Sequence, residues 1–210
     1  MYKGIAGSEG IGIGKVVIIE DHDITIETKH VPETDSEIAR LQEAIEKFVE
    51  ITNKMADKMD ETVGKKDADI LRGHIQMLQD PMIEEQISSL IIAEKITAEM
   101  AVDQVLEQTA EMFSQIPDEL LQQRATDFRD IKARMIKLLM GIEDVDISQV
   151  PAGTVLVAKD LTPSMTAGIK PENIEGILTE MGGKTSHSAI LARAMEIPAV
   201  LSIEGICDIV

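Results

Sequence analysis

Hydrophobic residues recur at alternating steps of three and four through the middle of the chain, and at shorter intervals near both ends. The first long series follows Pro32 and runs through Ile38, Leu41, Ile45, Phe48, Thr52, Met55 and Met59. This spacing places one apolar stripe along a long helix. Thr34 followed by Glu37 is the signature of a capping box at the start of that helix.

Further helices are predicted up to Gly141. The second begins near Asp67 and must break at Asp80-Pro81, because aspartate can cap a helix and proline can occupy its first position. Another starts near Thr97, and the last opens at Pro117-Asp118 and stops at the glycine. Residues 32–141 are therefore predicted to form an antiparallel helical bundle.

Both ends of the chain have the short apolar runs and glycine breaks that are typical of strands. Near the start these runs are IAGSEGIGIG, KVVIIE and DITIETK, and after Pro151 they are GTVLVAKDL, EGILTE and PAVLSI, with a short helix after His187. We predict a small α/β domain made from residues 1–31 and 142–210, with the bundle inserted between its two parts.

Two glycine-rich stretches look like nucleotide-binding loops but have the wrong spacing. The glycines of residues 10–14 would need a third partner at position 15 or 17, where Lys15 and Val17 stand. The GGKT of residues 182–185 would need a glycine at Leu178. We interpret the first stretch as turn and bulge residues, and the second as a glycine turn before a helix.

His187 is the candidate nucleophile. Ser186 is a plausible N-cap, which places the histidine in the first helical turn. Free backbone N–H groups and the helix dipole at that end disfavour an imidazolium and favour an anion. A neutral imidazole can attack phosphorus, and the added phosphoryl group would face those N–H groups and the hydroxyls of Thr185 and Ser186. The alternative is a buried histidine that only caps a helix.

Composition narrows the possible partners. The chain has 210 residues, of which 44% are hydrophobic and 2% aromatic, so single-stranded nucleic-acid binding on aromatic platforms is disfavoured. A net charge of −18 argues against any nucleic-acid partner. Residues 31–145 hold 25 acidic and 13 basic side chains, so most of the excess lies on the bundle. These faces are either ordinary solvated surface or a surface that steers a charged protein partner.

The remaining sequence features point to a cytoplasmic protein. The single Cys207 has apolar neighbours and reads as a small core residue rather than a nucleophile. The N-terminus does not resemble a signal peptide, and no apolar run reaches the roughly 18 residues of a membrane span. We therefore expect no membrane association.

Five motifs together carry a family resemblance. They are IAGSEGIGIGKV, GHIQMLQDP, RATDFRDIKAR, LTPSMT and GGKTSHSAILARAMEIPAV, in that order along the chain. With them the chain resembles the N-terminal phosphoryl-transfer region of Enzyme I of the bacterial phosphoenolpyruvate-dependent sugar phosphotransferase system. The GGxTSHxAIxAR element alone is shared with pyruvate phosphate dikinase and phosphoenolpyruvate synthase. The helical insert and its two motifs select Enzyme I.

The resemblance implies a fold and a reaction. The fold is an α/β swivelling phosphohistidine domain, discontinuous in sequence, with an inserted antiparallel α-helical bundle. His187 would take the phosphoryl group of phosphoenolpyruvate on Nε2 and pass it to a histidine of the carrier HPr, in the first step of sugar uptake. Thr166 would hold the histidine ring, while Gly183, Thr185 and Ser186 would surround the phosphate.

The resemblance also implies partners. HPr would dock on the bundle through His74, Leu78 and Arg124, whereas Arg193 is expected to be a surface or structural residue. The phosphoenolpyruvate and Mg²⁺ site is expected in a C-terminal domain outside this chain, which stops at Val210 inside the phosphohistidine domain. The full-length enzyme is expected to be a homodimer. Two alternatives stay open, a swivelling domain of a dikinase-type enzyme and a non-catalytic acidic helical interaction module.

Overall fold

The computed structural model describes residues 2–19, 24–27, 29–142 and 147–209. His22, to which we assign no role, and the last residue of the predicted strand KVVIIE lie outside these ranges. Within them the fold is α/β, with eight helices and a mixed sheet of five strands. The chain divides into an α/β unit, Met1–Asp23, Asp57–Ala68 and Val145–Val210, and a helical unit, Ile24–Ala56 and Asp69–Asp144.

The long helices begin and end where local signals predict. They are α1 Asp35–Thr62, α2 Lys65–Leu78, α3 Pro81–Glu94, α4 Ala98–Ser114 and α5 Glu119–Met140. Asp80 caps α3 by accepting the Met82 N–H at 2.9 Å. Asp118 caps α5, which ends at Gly141 with a φ of 68°. This left-handed conformation favours glycine and stops the helix, so these predicted boundaries are confirmed.

The predicted capping box at the start of α1 is wrong. Among the described residues, neither the Thr34 hydroxyl nor the Glu37 carboxylate accepts the backbone N–H of the other residue. The Glu37 carboxylate accepts instead from the backbone N–H of Ala98, the first residue of α4, at 2.9 Å. That N–H needs an acceptor because the first N–H groups of a helix have no intrahelical partner. The Glu37 side chain therefore bonds to the start of another helix rather than to the start of its own.

The helical unit is held together by one apolar core. Its largest fully buried side chains include Leu41, Phe48, Leu106, Ile131 and Met135. Helix α4 packs on α3 and, more extensively, on α5. Most of these core residues come from the helical periodicity of the sequence, and burying each such side chain contributes roughly 1.5–3 kcal/mol.

The predicted strand DITIETK is also wrong in its described part. Residues 24–27 have no strand conformation. Ile24 and Ile26 pack against the core of the helical unit instead. In any extended segment, alternating apolar and polar residues place the apolar side chains on one face. The same pattern therefore also occurs in a segment that packs on helices without joining a sheet.

The sheet contains β1 Ile5–Ser8, β2 Lys15–Ile19, β3 Thr154–Ala158, β4 Ile174–Thr179 and β5 Ala199–Leu201. The strand order is β1-β5-β4-β3-β2. Strand β1 is antiparallel to β5, whereas β2, β3, β4 and β5 pair in parallel. The carboxyl ends of these parallel strands meet at one edge of the sheet, which is where such sheets place ligand sites.

The early glycines are required for two different reasons. Gly10 has a φ of 137° and forms a turn, as predicted. Gly12 and Gly14 lie outside the strands, so they are not bulge residues, and both lie directly against backbone. A Cβ on Gly12 would stand 1.9 Å from the Glu175 carbonyl oxygen, and one on Gly14 would stand 2.3 Å from that of Gly153. This close approach explains the GIGIG pattern without a nucleotide.

Three short helices complete the fold of the described residues, α6 Pro163–Thr166, α7 His187–Ala194 and α8 Ile206–Ile209. Cys207 packs beside Val157 and Ile203 in a small cluster of the α/β unit. Burial and the nearby Glu180 carboxylate raise the pKa of its thiol, which keeps it protonated and unreactive. In the described part of the chain, no helix combines the length and apolar character needed to cross a membrane.

Candidate active site

Two loops at the carboxyl edge of the sheet carry the predicted chemistry. The loop after β3 leads through Asp160 and Thr162 into α6, and Thr162 caps that helix by accepting the Met165 N–H. The loop after β4 contains the glycine turn and leads into α7. Because β3 and β4 are parallel neighbours, the two loops leave the sheet side by side.

His187 is the first residue of α7, as predicted. Ser186 is the N-cap, with an extended backbone, and its hydroxyl accepts the Ala189 N–H at 3.3 Å. The helix therefore starts with the imidazole attached where backbone N–H groups lack intrahelical partners. A negative group bound to this ring would lie in the favourable field of the helix dipole.

The glycine turn before the helix is tied down at several points. Gly182 has a φ of 101°, and its carbonyl accepts a hydrogen bond from the Ser202 hydroxyl. The Arg193 guanidinium donates to the carbonyl oxygens of Gly7 in β1, at 2.8 Å, and of Lys184 in the turn, at 3.1 Å. Arg193 is thus a structural residue, as expected, and it fixes the turn to the sheet.

Thr166 contacts the Nε2 nitrogen of His187. Its Oγ1 lies 3.3 Å from His187 Nε2 and donates to the Pro163 carbonyl at 2.8 Å. This contact, together with the bond to Pro163, holds the imidazole ring in one orientation.

Gly183 and Thr185 flank the cap residue. No heavy atom lies within 4 Å of where a Cβ on Gly183 would be, so this side of the turn is open. Its carbonyl accepts the Ser186 N–H at 3.0 Å. The Thr185 side chain is exposed. The structure brings both residues beside His187, and their role as phosphate contacts stays a prediction.

Sequence reasoning missed Asp160 and Ser188. Asp160 Oδ1 accepts the Leu161 N–H at 2.8 Å and the Ser188 hydroxyl at 3.2 Å. Burial raises the pKa of this carboxyl, while the two donors oppose the shift. The only signal in the sequence was a polar residue two positions after a buried strand, at the edge where parallel sheets bind ligands.

The three predicted carrier-binding residues differ in exposure. His74 is fully buried, Leu78 is 1% exposed, and the Arg124 side chain is 52% exposed. His74 Nε2 lies 3.4 Å from an Asp127 oxygen, and Arg124 lies 3.6 Å from the other oxygen of the same carboxylate. Only Arg124 presents its side chain to solvent. A docking role for His74 and Leu78 stays a prediction. Because both side chains are buried, they would act from below the docking surface.

A metal site is not formed by the described residues. In those ranges, no group of three or more histidine, cysteine, aspartate or glutamate side chains is placed to hold a metal ion.

Comparison with known proteins identifies relatives of both halves of the chain. Residues 3–124 match the family described as PEP-utilising enzyme, N-terminal, and residues 150–210 match PEP-utilising enzyme, mobile domain. The chain is 36% identical to phosphoenolpyruvate-protein phosphotransferase of Mycoplasma capricolum over 99% of its own length. It is 35% identical to that of Haemophilus influenzae over 100% of its length. It spans 36% and 37% of the length of these two relatives.

Solved structures agree with this relationship. An NMR solution structure of Enzyme I (nEIt) superimposes with a TM-score of 0.84 at 38% identity, covering 100% of this chain and 86% of that one. The N-terminal domain of Enzyme 1 - Nitrogen superimposes with a TM-score of 0.66 at 22% identity, which supports the fold alone. The resemblance inferred from the five motifs is confirmed.

Proposed function

Because the chain belongs to the PEP-utilising enzyme family and is similar over its whole length to Enzyme I, we propose that it performs the phosphohistidine step of a phosphoenolpyruvate-protein phosphotransferase. His187 accepts the phosphoryl group of phosphoenolpyruvate and passes it to a histidine of HPr. The observation that carries this proposal is an imidazole at the first position of α7 whose Nε2 faces the buried Thr166 hydroxyl at 3.3 Å.

The proposed reaction begins at Nε2. This nitrogen attacks phosphorus with the in-plane lone pair that it carries when the hydrogen of the neutral ring is on Nδ1. The Nε2–P bond then forms as the bond between phosphorus and the bridging oxygen breaks, and enolpyruvate departs with that oxygen's electrons. In the transfer to HPr the roles are exchanged. The carrier's histidine nitrogen attacks phosphorus, and the His187 imidazole is the leaving group. The Thr166 contact cannot survive phosphorylation unchanged, because Nε2 then bears phosphorus.

The surroundings of the ring suit a phosphohistidine. The N–H groups of the first turn of α7 supply fixed dipoles toward an anion, and such preorganised donors cost no rearrangement during the reaction. The open side at Gly183 leaves room for the phosphate. The Thr185 and Ser186 hydroxyls are the proposed further donors.

We also propose a division of labour between the two units. The α/β unit is the swivelling phosphohistidine domain, and the helical unit is the inserted carrier-binding bundle, with the domains at 1–31 and 142–210 and at 32–141. Both compact units are discontinuous along the chain, and the α/β unit also includes residues 57–68. The acidic excess of the bundle and the exposed Arg124 support a charged docking surface for HPr.

Phosphoenolpyruvate itself needs a cationic clamp, because charge develops on several phosphate oxygens during transfer. Residues 146–210 contain only Lys159, Lys170, Lys184 and Arg193 as cations, and the last of these is engaged with two backbone carbonyls. We propose that the substrate and Mg²⁺ are held by a C-terminal domain outside this chain, in a cytoplasmic homodimer.

The test is to offer the 210-residue chain each donor separately. Phosphorylated HPr should label it reversibly with an acid-labile, alkali-stable phosphate that maps to His187, whereas phosphoenolpyruvate with Mg²⁺ should not. Phosphate found on His22, His30 or His74 would overturn the assignment of the nucleophile. Efficient labelling by phosphoenolpyruvate would show that the substrate site lies within this chain.

A further inference from the structure

Asp160 is anchored to the helix turn that bears the phosphate-accepting ring. It stands two residues beyond β3, and Ser188, whose hydroxyl it binds at 3.2 Å, directly follows His187. Ser188 is 1% exposed. The carboxylate thus holds the first turn of α7 from the interior of the α/β unit, on an element separate from the one that carries Thr166.

The hydrogen bonds in this cluster have a definite direction. Ser188 has one hydroxyl proton and gives it to Asp160, so its oxygen is left to accept from the Ser186 hydroxyl 3.4 Å away. Ser186 in turn accepts the Ala189 N–H and caps the helix. The series of hydrogen bonds therefore runs from the Ser186 cap to the Asp160 carboxylate, which is partly buried and ends the series. Hydroxyl and N–H donors favour the ionised form of that group.

From this arrangement we propose that Asp160 is a positioning residue which also sets how readily the phosphohistidine releases its phosphoryl group. The inference rests on the proposed function of His187. A phosphoryl group adds up to two negative charges to the ring, and the carboxylate bound to the side chain of the next residue, Ser188, repels them. This repulsion raises the free energy of the phosphorylated form relative to the free form, which favours donation to the next acceptor.

The chain offers variants that separate charge from geometry. Both donors meet the same oxygen of Asp160, so in Asp160→Asn the amide oxygen can accept them while the charge is removed. Ser188→Ala keeps the negative charge of Asp160 and removes its hydrogen bond to α7. Glu175→Gln is the matched control, because it removes one negative charge from an exposed position on β4.

The measurement is phosphoryl exchange between the 210-residue chain and phosphorylated HPr, followed to equilibrium at fixed pH and salt. In Asp160→Asn the equilibrium should shift toward the phosphorylated chain by about tenfold, the size of one partly screened charge interaction. Glu175→Gln should stay within about twofold because its charge is solvated. Ser188→Ala should slow exchange in both directions by about tenfold, as expected for a misplaced nucleophile.

Each variant has a result that would contradict one part of the proposal. An Asp160→Asn chain that folds and exchanges at the wild-type equilibrium contradicts the role of the charge, and wild-type exchange rates in Ser188→Ala contradict the positioning role. Should Asp160→Asn fail to fold, as judged by amide exchange in β3, the Ser188→Ala rates alone decide whether the link positions His187. Absence of any wild-type label would refute the proposed function of His187 instead.

Discussion

The two units are stabilised by different kinds of polar contact. In the helical unit, Lys132 binds Glu107 at 2.8 Å and Asp103 at 3.1 Å, and Arg40 binds Glu37 at 2.6 Å. Around His187, the Thr166 hydroxyl meets the ring, and the charged Asp160 and Arg193 side chains bind a hydroxyl and backbone carbonyls rather than opposite charges. A surface that attracts a protein benefits from charge, whereas a nucleophilic imidazole must stay neutral and needs oriented dipoles that carry no net charge.

The largest expected effect concerns the nucleophile itself. His187→Gln should abolish labelling by phosphorylated HPr, at least about 10³-fold below wild type, because no other group at the start of α7 can form the Nε2–P bond. Amide exchange should show both units still folded. Ser186→Ala is the matched control in the labelling assay, because it removes the helix cap but keeps the imidazole. This variant should retain measurable transfer. Persistent label in His187→Gln would move the site elsewhere.

A second test removes an ion-pair hub of the helical unit. Arg40 donates to Glu37, to Glu99 and to the Leu139 carbonyl. Arg40→Ala should lower the free energy of unfolding by about 2 kcal/mol, less than for a fully buried pair because the arginine side chain is 40% exposed. Amide exchange in α4 and α5 measures this loss.

The control for the hub is Lys54→Ala on the same helix. Lys54 pairs with Glu50 at 2.6 Å, but both side chains are exposed. Its removal should cost about 0.3 kcal/mol. Equal losses from Lys54 and Arg40 would mean that the network around Glu37 contributes no more than an ordinary surface pair.

A third test separates docking from packing among the predicted carrier contacts. Arg124→Ala should weaken HPr binding by about tenfold at low salt, and the difference should shrink at high salt because exposed charges are screened. Leu78→Ala should instead lower stability by about 3 kcal/mol, since this side chain is buried in the core. Titration calorimetry measures the loss of HPr binding, and thermal unfolding measures the loss of stability. Unchanged binding in Arg124→Ala would remove the arginine from the docking surface.

The smallest expected effect is an opposite response of the two units to acid. Burial would raise the pKa of Glu107, but hydrogen bonds from Lys132 and Arg129 outweigh it and lower the pKa. Its stabilising contribution is complete above the ordinary value of 4.5 and is lost as pH falls through the lower folded value. For Asp160 burial raises the pKa above 3.8, so its contribution is complete below 3.8 and is lost as pH rises through the folded value.

Amide exchange in α5 and in β3, compared at about pH 6 and about pH 4, checks these signs. Glu107→Gln should flatten the response of the helical unit, and Asp160→Asn that of the α/β unit, each by well under about 1 kcal/mol because of solvent screening. The same sign of change from both variants would contradict the assignment.

The sequence alone was sufficient for the elements whose signals are local. Asp80-Pro81, Asp118 and Gly141 marked helix ends, and Ser186 marked the start of α7, because a cap involves residues only two or three positions apart. The GGKTSH motif placed His187 at the start of α7 in the same way, since the cap residue and the histidine are neighbours in the chain.

Only the tertiary structure decided the contacts between distant segments. Glu37 binds a helix start 61 residues away rather than its own, and Asp160 meets Ser188 across 28 residues. The burial of His74 likewise depends on α5, which supplies Asp127. A polar side chain takes whichever buried donor or acceptor most needs a partner, and the cost of leaving that group unsatisfied exceeds any local preference. Which group that is becomes known only when the helices and strands have packed.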